Sequence, residues 1–135
     1  MKRLLSIVLI LLFLAGCTNS NPQGRLPISG EITLNGQPLE SGSISFDPIG
    51  SQTERLQSGG QIVNGKYEIA APQGLVPGEY QARITSMIID PKSPPPKDTV
   101  EPPKMISVVP PEFGSKTTQK IIVEKGKENR FDFKM

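Results

Sequence analysis

The 135 residues suffice for one ordinary domain and not for two, and 14 prolines with 13 glycines favour turns and extended segments over helices. With no histidine and one cysteine, the chain cannot hold a Ser/His/Asp triad, a Cys/His pair or a Cys/His zinc site. The formal charge of +2 rests on Lys2 and Arg3, and the other 13 basic residues balance 13 acidic ones, so the footprint of a nucleic-acid binder is missing.

Lys2 and Arg3 head a segment, 4–14, that is apolar except for Ser6, and Leu14-Ala15-Gly16-Cys17 closes it. A positive head, an apolar run of about a dozen residues and a small-residue end describe a secretory signal peptide. The run is too short to span a bilayer, which takes roughly 20 apolar residues. Leu-Ala-Gly-Cys also resembles the bacterial lipobox. That resemblance implies a diacylglyceryl group on the Cys17 thiol, cleavage that removes residues 1–16, and acylation of the new amino terminus. A single acyl chain anchors reversibly, whereas two or three hold a protein on the membrane. By resemblance to enterobacterial sorting, Thr18 rather than Asp after the cysteine implies the outer membrane. Residues 18–25 are polar and aperiodic, and with Cys17 they form the expected tether, 17–25. Eight residues reach at most ~28 Å.

From residue 26 the pattern changes to period two, the mark of half-buried strands. Ile28, Gly30, Ile32 and Leu34 alternate with polar residues, and Asn35-Gly36 reads as a hairpin turn. A second strand is expected over 43–47 with Ile44 and Phe46 inward, then a polar loop, then a short strand over 61–63. Asn64-Gly65 is another hairpin turn, followed by Tyr67, Ile69 and Ala71 on one face. Pro77-Gly78 turns the chain again. Tyr80, Ala82 and Ile84 then face inward, with Tyr80 placed like a tyrosine corner.

Eight prolines fall between residues 91 and 111. Proline fixes φ and lacks a donor, so this stretch is expected as a solvated polyproline-II crossover on the surface. Its PxxP spacing, Pro91 to Pro94, reads as a stiff connector rather than a docking ligand. Two strands finish the chain, over 118–123 with Ile121 and Val123 inward, and over 131–135 with Phe131, Phe133 and Met135 inward. Lys120, Lys125, Lys127, Arg130 and Lys134 alternate with Glu124, Glu128 and Asp132, so this is a solvated strand face and not a basic patch.

Short strands, frequent turns and the lack of a helical period define an all-β fold: a small antiparallel β-sandwich of about seven strands over 26–135. Ile28-x-Gly30-x-Ile32-x-Leu34-x-Gly36-x-Pro38-Leu39, Gly42-x-Ile44-x-Phe46-x-Pro48, Gly65-x-Tyr67-x-Ile69 and Pro77-Gly78-x-Tyr80 resemble carboxypeptidase-regulatory-like, transthyretin-like domains. The ending, from Val109-Pro110-Pro111-Glu112-Phe113 to Asn129-x-Phe131-x-Phe133, is similar to that of small planctomycete lipoproteins of this type. The resemblance implies an envelope location and no activity. Relatives with an intramolecular Lys–Asn bond carry the lysine in the first strand, which here has none.

The function expected is a lipid-anchored, non-catalytic structural or binding module of the cell envelope. It needs no cofactor and no metal, its membrane partner is reached through Cys17, and an envelope protein or polysaccharide is the other candidate partner. A carbohydrate- or peptidoglycan-binding module is one alternative, but of the aromatics after Cys17 (Phe46, Tyr67, Tyr80, Phe113, Phe131, Phe133) only Phe113 falls in a loop. A hydrolase is the other, but Asp47, Glu54, Asp90, Asp98 and Glu101 lie scattered without motif spacing.

Overall fold

The computed structural model describes residues 21, 24–50, 57–94 and 102–135. The expected signal peptide, Cys17 and most of the tether lie outside these residues, as do Glu54, Asp98 and Glu101. What is described is all-β. Ten strands form in chain order: β1 (Ile28–Leu34), β2 (Gln37–Pro38), β3 (Ser41–Pro48), β4 (Ser58–Val63), β5 (Lys66–Ile69), β6 (Gly78–Thr85), β7 (Met87–Ile89), β8 (Met105–Ser107), β9 (Lys120–Val123) and β10 (Phe133–Lys134). Eight of them make one curled sheet in the order β10-β1-β5-β4-β3-β6-β9, with β2 paired to β1. The remaining two, β7 and β8, pair only with each other.

The two Asn-Gly pairs form the turns that their chemistry requires. Asn35 and Gly36 have φ of 53° and 80°, and Asn64 and Gly65 have 50° and 75°. Positive φ at both central residues matches the right-handed twist of the flanking strands. The alternation read from the sequence then sets the burial. Ile28 and Ile32 on β1, Ile44 and Phe46 on β3, Ile62 on β4, and Tyr80, Ala82 and Ile84 on β6 are all buried in one core. β3 lies at its centre, in register with β6 from Ser43↔Thr85 to Pro48↔Tyr80 and with β4 from Ser41↔Val63 to Phe46↔Ser58. Tyr80 is fully buried, and its hydroxyl donates to the Val76 carbonyl at 2.9 Å, tying the strand to the turn before it.

Several expectations change. The described residues form ten strands rather than about seven, and one pairing among them is parallel: β10 runs beside β1 with Ile32↔Phe133 in register. Parallel pairing has no local sequence marker, because the chain need not turn back. Ala71 does not extend β5 but opens a 3-10 turn over Ala71–Gln73, with Pro72 inside it. The last two strands are shorter than expected, beginning at Lys120 and Phe133. Of the proline-rich stretch 91–111, residues 95–101 lie outside the described residues, and the part from 102 onward is not simply a solvated crossover. Met105–Ser107 is a strand, Val109 is buried, and the chain turns from 111 to 116 with Phe113 half-buried against the core. The prolines flank β8 at 103 and 110 instead of interrupting it.

Candidate functional site

β6 and β7 are almost continuous, and burial changes character between them. Along β6 the pattern alternates, with Tyr80, Ala82 and Ile84 buried, while Glu79, Arg83 and Thr85 are exposed. Ser86 is buried, and then Met87, Ile88 and Ile89 are all exposed in succession. The chain has left the core as a two-stranded ribbon. Met87 pairs with Ser107, Ile88 with Ile106 and Ile89 with Met105. Met87, Ile89 and Met105 therefore share one ribbon face, since alternate residues point the same way. Their exposures of 46, 59 and 46% are high for large apolar side chains, and together they form an apolar patch rather than scattered residues.

Asp90 holds the outer end of this ribbon. Its carboxylate accepts the Lys92 N–H at 2.9 Å and faces the Lys104 ammonium at 3.1 Å, while the Asp90 N–H donates to the Lys104 carbonyl. At the inner end the Val108 N–H donates to the Ser86 carbonyl. Such clamps are needed, because a two-stranded ribbon alone is marginally stable in water.

Beside the ribbon base lies a groove of about 570 Å³, lined by Arg83, Ile84 and Thr85 of β6, Met87 of β7, Ser107 of β8 and the turn residues Val109, Pro111, Gly114 and Ser115. Arg83 stands at one end, 3.8 Å from Asp47, beyond hydrogen-bond length. The groove thus runs from a guanidinium toward the apolar ribbon face. Of its residues only Arg83, Ile84 and Thr85 lie on a stretch whose period-two pattern marks it in the sequence. The signal available in the sequence was Met87-Ile-Ile89, three apolar residues without alternation after a well-patterned strand.

A second cleft, of about 520 Å³, opens on the outer face of β1, β5 and β4 near Glu31, Gln61, Lys66, Glu68 and Arg130. Arg130, Glu31 and the neighbouring Asp132 satisfy one another. Arg130 sits 3.2 Å from Glu31 and 3.3 Å from Asp132, and the hydrogen bond to Glu31, then the Asp132 charge, hold its pKa above the ordinary value. Beneath it the Tyr67 hydroxyl donates to the Phe131 carbonyl at 2.7 Å. Burial first, then the Asp132 carboxylate, raise the Tyr67 pKa well above that of a free phenol, with Arg130 opposing.

Of the scattered carboxylates weighed for hydrolysis, Asp47 faces Arg83 from β3 and Asp90 pins the ribbon. Each has a cationic neighbour of its own. Among the described residues no three Asp, Glu, Cys or His side chains gather as metal ligands, and no helix is long and apolar enough to cross a membrane. Compared with known protein families, with curated proteins and with solved structures, the chain matches none.

Proposed function

We propose that this protein is a non-catalytic binding module of the bacterial cell envelope, tethered to the outer membrane through lipid on Cys17. Its curled sheet closes as a small transthyretin-like sandwich, as in the carboxypeptidase-regulatory-like domains that it resembles. The observation that carries the reading is the position of the only cysteine, closing an apolar segment with a positive head, nine residues ahead of the first backbone pairing at Leu26. A thiol there is the acceptor for lipid, and two or three chains convert a folded domain into an anchored one. The exposed ribbon and its groove are what such a module offers to a partner. The described aromatics lie in the core or packed against it, Phe113 and Phe131 included, which favours contact through the ribbon over stacking on sugar rings.

Membrane fractionation tests the anchor. The parent protein should sediment with membranes, resist high salt and dissolve only in detergent. Cys17→Ser should lose the processed, membrane-bound form. Identical fractionation and identical processing of both proteins would sink the reading.

A further inference from the structure

The groove beside the ribbon has a direction, and direction selects a ligand. Arg83 and Met87 line it at successive positions along the chain, and Ile89 and Met105 carry the apolar face of Met87 beyond it along the ribbon. From Arg83 to Ile89 an extended chain covers roughly 20 Å, about six residues of a bound strand. We propose that this groove binds the C-terminal end of an extended apolar peptide, with the terminal carboxylate on Arg83 and the last side chains over Met87, Ile89 and Met105. The proposal rests on the reading of the protein as a tethered binding module and names the chemistry of its partner.

Three observations favour a peptide. The walls carry the hydroxyls of Thr85 and Ser115 beside Ile84, Val109 and Pro111, while the Ser107 hydroxyl is bonded to the Val109 backbone, and a peptide backbone can use hydroxyl groups that an alkyl chain would leave unmatched. Charge is complementary at one end, where the Arg83 guanidinium is exposed and only loosely paired with Asp47. The third observation is where the tether enters. Leu26 exchanges backbone hydrogen bonds with Leu75 at 2.8 and 3.1 Å, which fixes the N-terminal entry near the turn that precedes β6. β6 then runs eight residues, roughly 26 Å, before the ribbon begins. The ribbon therefore lies at the far end of β6 from the point where the tether joins the sheet. A polypeptide in the envelope can meet it there.

Methyl NMR of the whole mature protein on lipid nanodiscs reads the groove directly, because Met87 lines it and Met105 lies on the same ribbon face, while Met135 packs against the core elsewhere. The probes are an acetylated peptide, Gly-Ser-Thr-Val-Leu-Leu with a free carboxylate, the same peptide as its C-terminal amide, and dodecanoate. The free acid should shift the Met87 and Met105 methyls and leave Met135 in place. The amide should bind about fivefold more weakly, and Arg83→Gln should weaken the acid by the same factor without affecting the amide. An unchanged Met135 signal in Arg83→Gln reports an intact fold, and Met87→Glu is the second variant, expected to abolish binding of both peptides. Equal binding of acid and amide overturns the proposal, as does the absence of shifts at Met87 and Met105. Shifts with dodecanoate and none with peptide would assign the groove to a single-chain lipid and also overturn it. A protein found without lipid on Cys17 would fail the tether instead, and the same titration would then run in plain buffer.

Discussion

Replacing Gly30 with alanine puts a methyl group where the Phe131 carbonyl now sits. A Cβ built on Gly30 would overlap the Phe131 carbonyl oxygen and lie 2.7 Å from both its carbonyl carbon and the Tyr67 hydroxyl. Ordinary carbon contacts lie at ~3.5–4.0 Å, so the chain leading into β10 must retreat by about 1 Å or more. Three hydrogen bonds are at stake: Phe131 N–H to the Ser29 carbonyl at 2.9 Å, Ser29 N–H to the Asn129 carbonyl at 3.2 Å, and Tyr67 hydroxyl to the Phe131 carbonyl at 2.7 Å. At about 1 kcal/mol each, their loss costs about 3 kcal/mol, and loosened packing of Phe133 carries the total to about 3–5 kcal/mol. That is a large share of the stability of a small domain, ~5–15 kcal/mol. Urea unfolding of the parent and of Gly30→Ala measures it, with Ser29→Ala as the control, expected within ~0.5 kcal/mol of the parent. A loss below about 1 kcal/mol for Gly30→Ala would refute the close approach of β10 to β1.

Tyr80→Phe should lose about 1 kcal/mol in the same melts through its bond to Val76, and Tyr80→Ala about 3–5 kcal/mol through the cavity left in the core. Stability should also fall in strong alkali. The Tyr67 pKa is raised on folding, so its contribution is complete below the free phenol value near 10 and is lost as pH rises above it. Melts from pH 8 to 11 should fall more steeply for the parent than for Tyr67→Phe, and equal slopes would contradict the buried phenol. Asp90→Ala should unpin the ribbon while leaving the core intact. Amide exchange within β7 and β8 should accelerate, with the amides of β3 and β6 unchanged, and equal acceleration of both sets would show the ribbon to be part of the core.

What could be read beforehand was local. Asn35-Gly36 and Asn64-Gly65 announce their own turns, because positive φ is a property of those two residues alone. Ile44 with Phe46, and Tyr80 with Ala82 and Ile84, announce a buried face because one side of each strand meets the core. What could not be read depends on partners distant in sequence. Gly30 reads in the sequence as one more position of the alternating face, and the reason for a glycine there is Phe131, about a hundred residues on. Pairing of β10 with β1 is parallel and leaves no turn between them to recognise. β8 was hidden because prolines crowd it, although none occupies a position between Met105 and Ser107. The groove is assembled from 83–87 and 107–115, segments far apart in sequence that meet through the Ile84 N–H to Phe113 carbonyl and Val108 N–H to Ser86 carbonyl bonds. Its ligand-facing chemistry therefore had no linear motif.

The central claim is that Cys17 carries the lipid that holds this module on a membrane, and intact mass spectrometry of the protein extracted from membranes tests it most directly. The account predicts a chain beginning at Cys17, heavier than the unmodified sequence from that residue by a diacylglyceryl group, alone or with one further acyl chain. Cys17→Ser should yield no such species. A mass equal to the full unmodified chain of 135 residues, or to a chain cut elsewhere with a free Cys17 thiol, would contradict it.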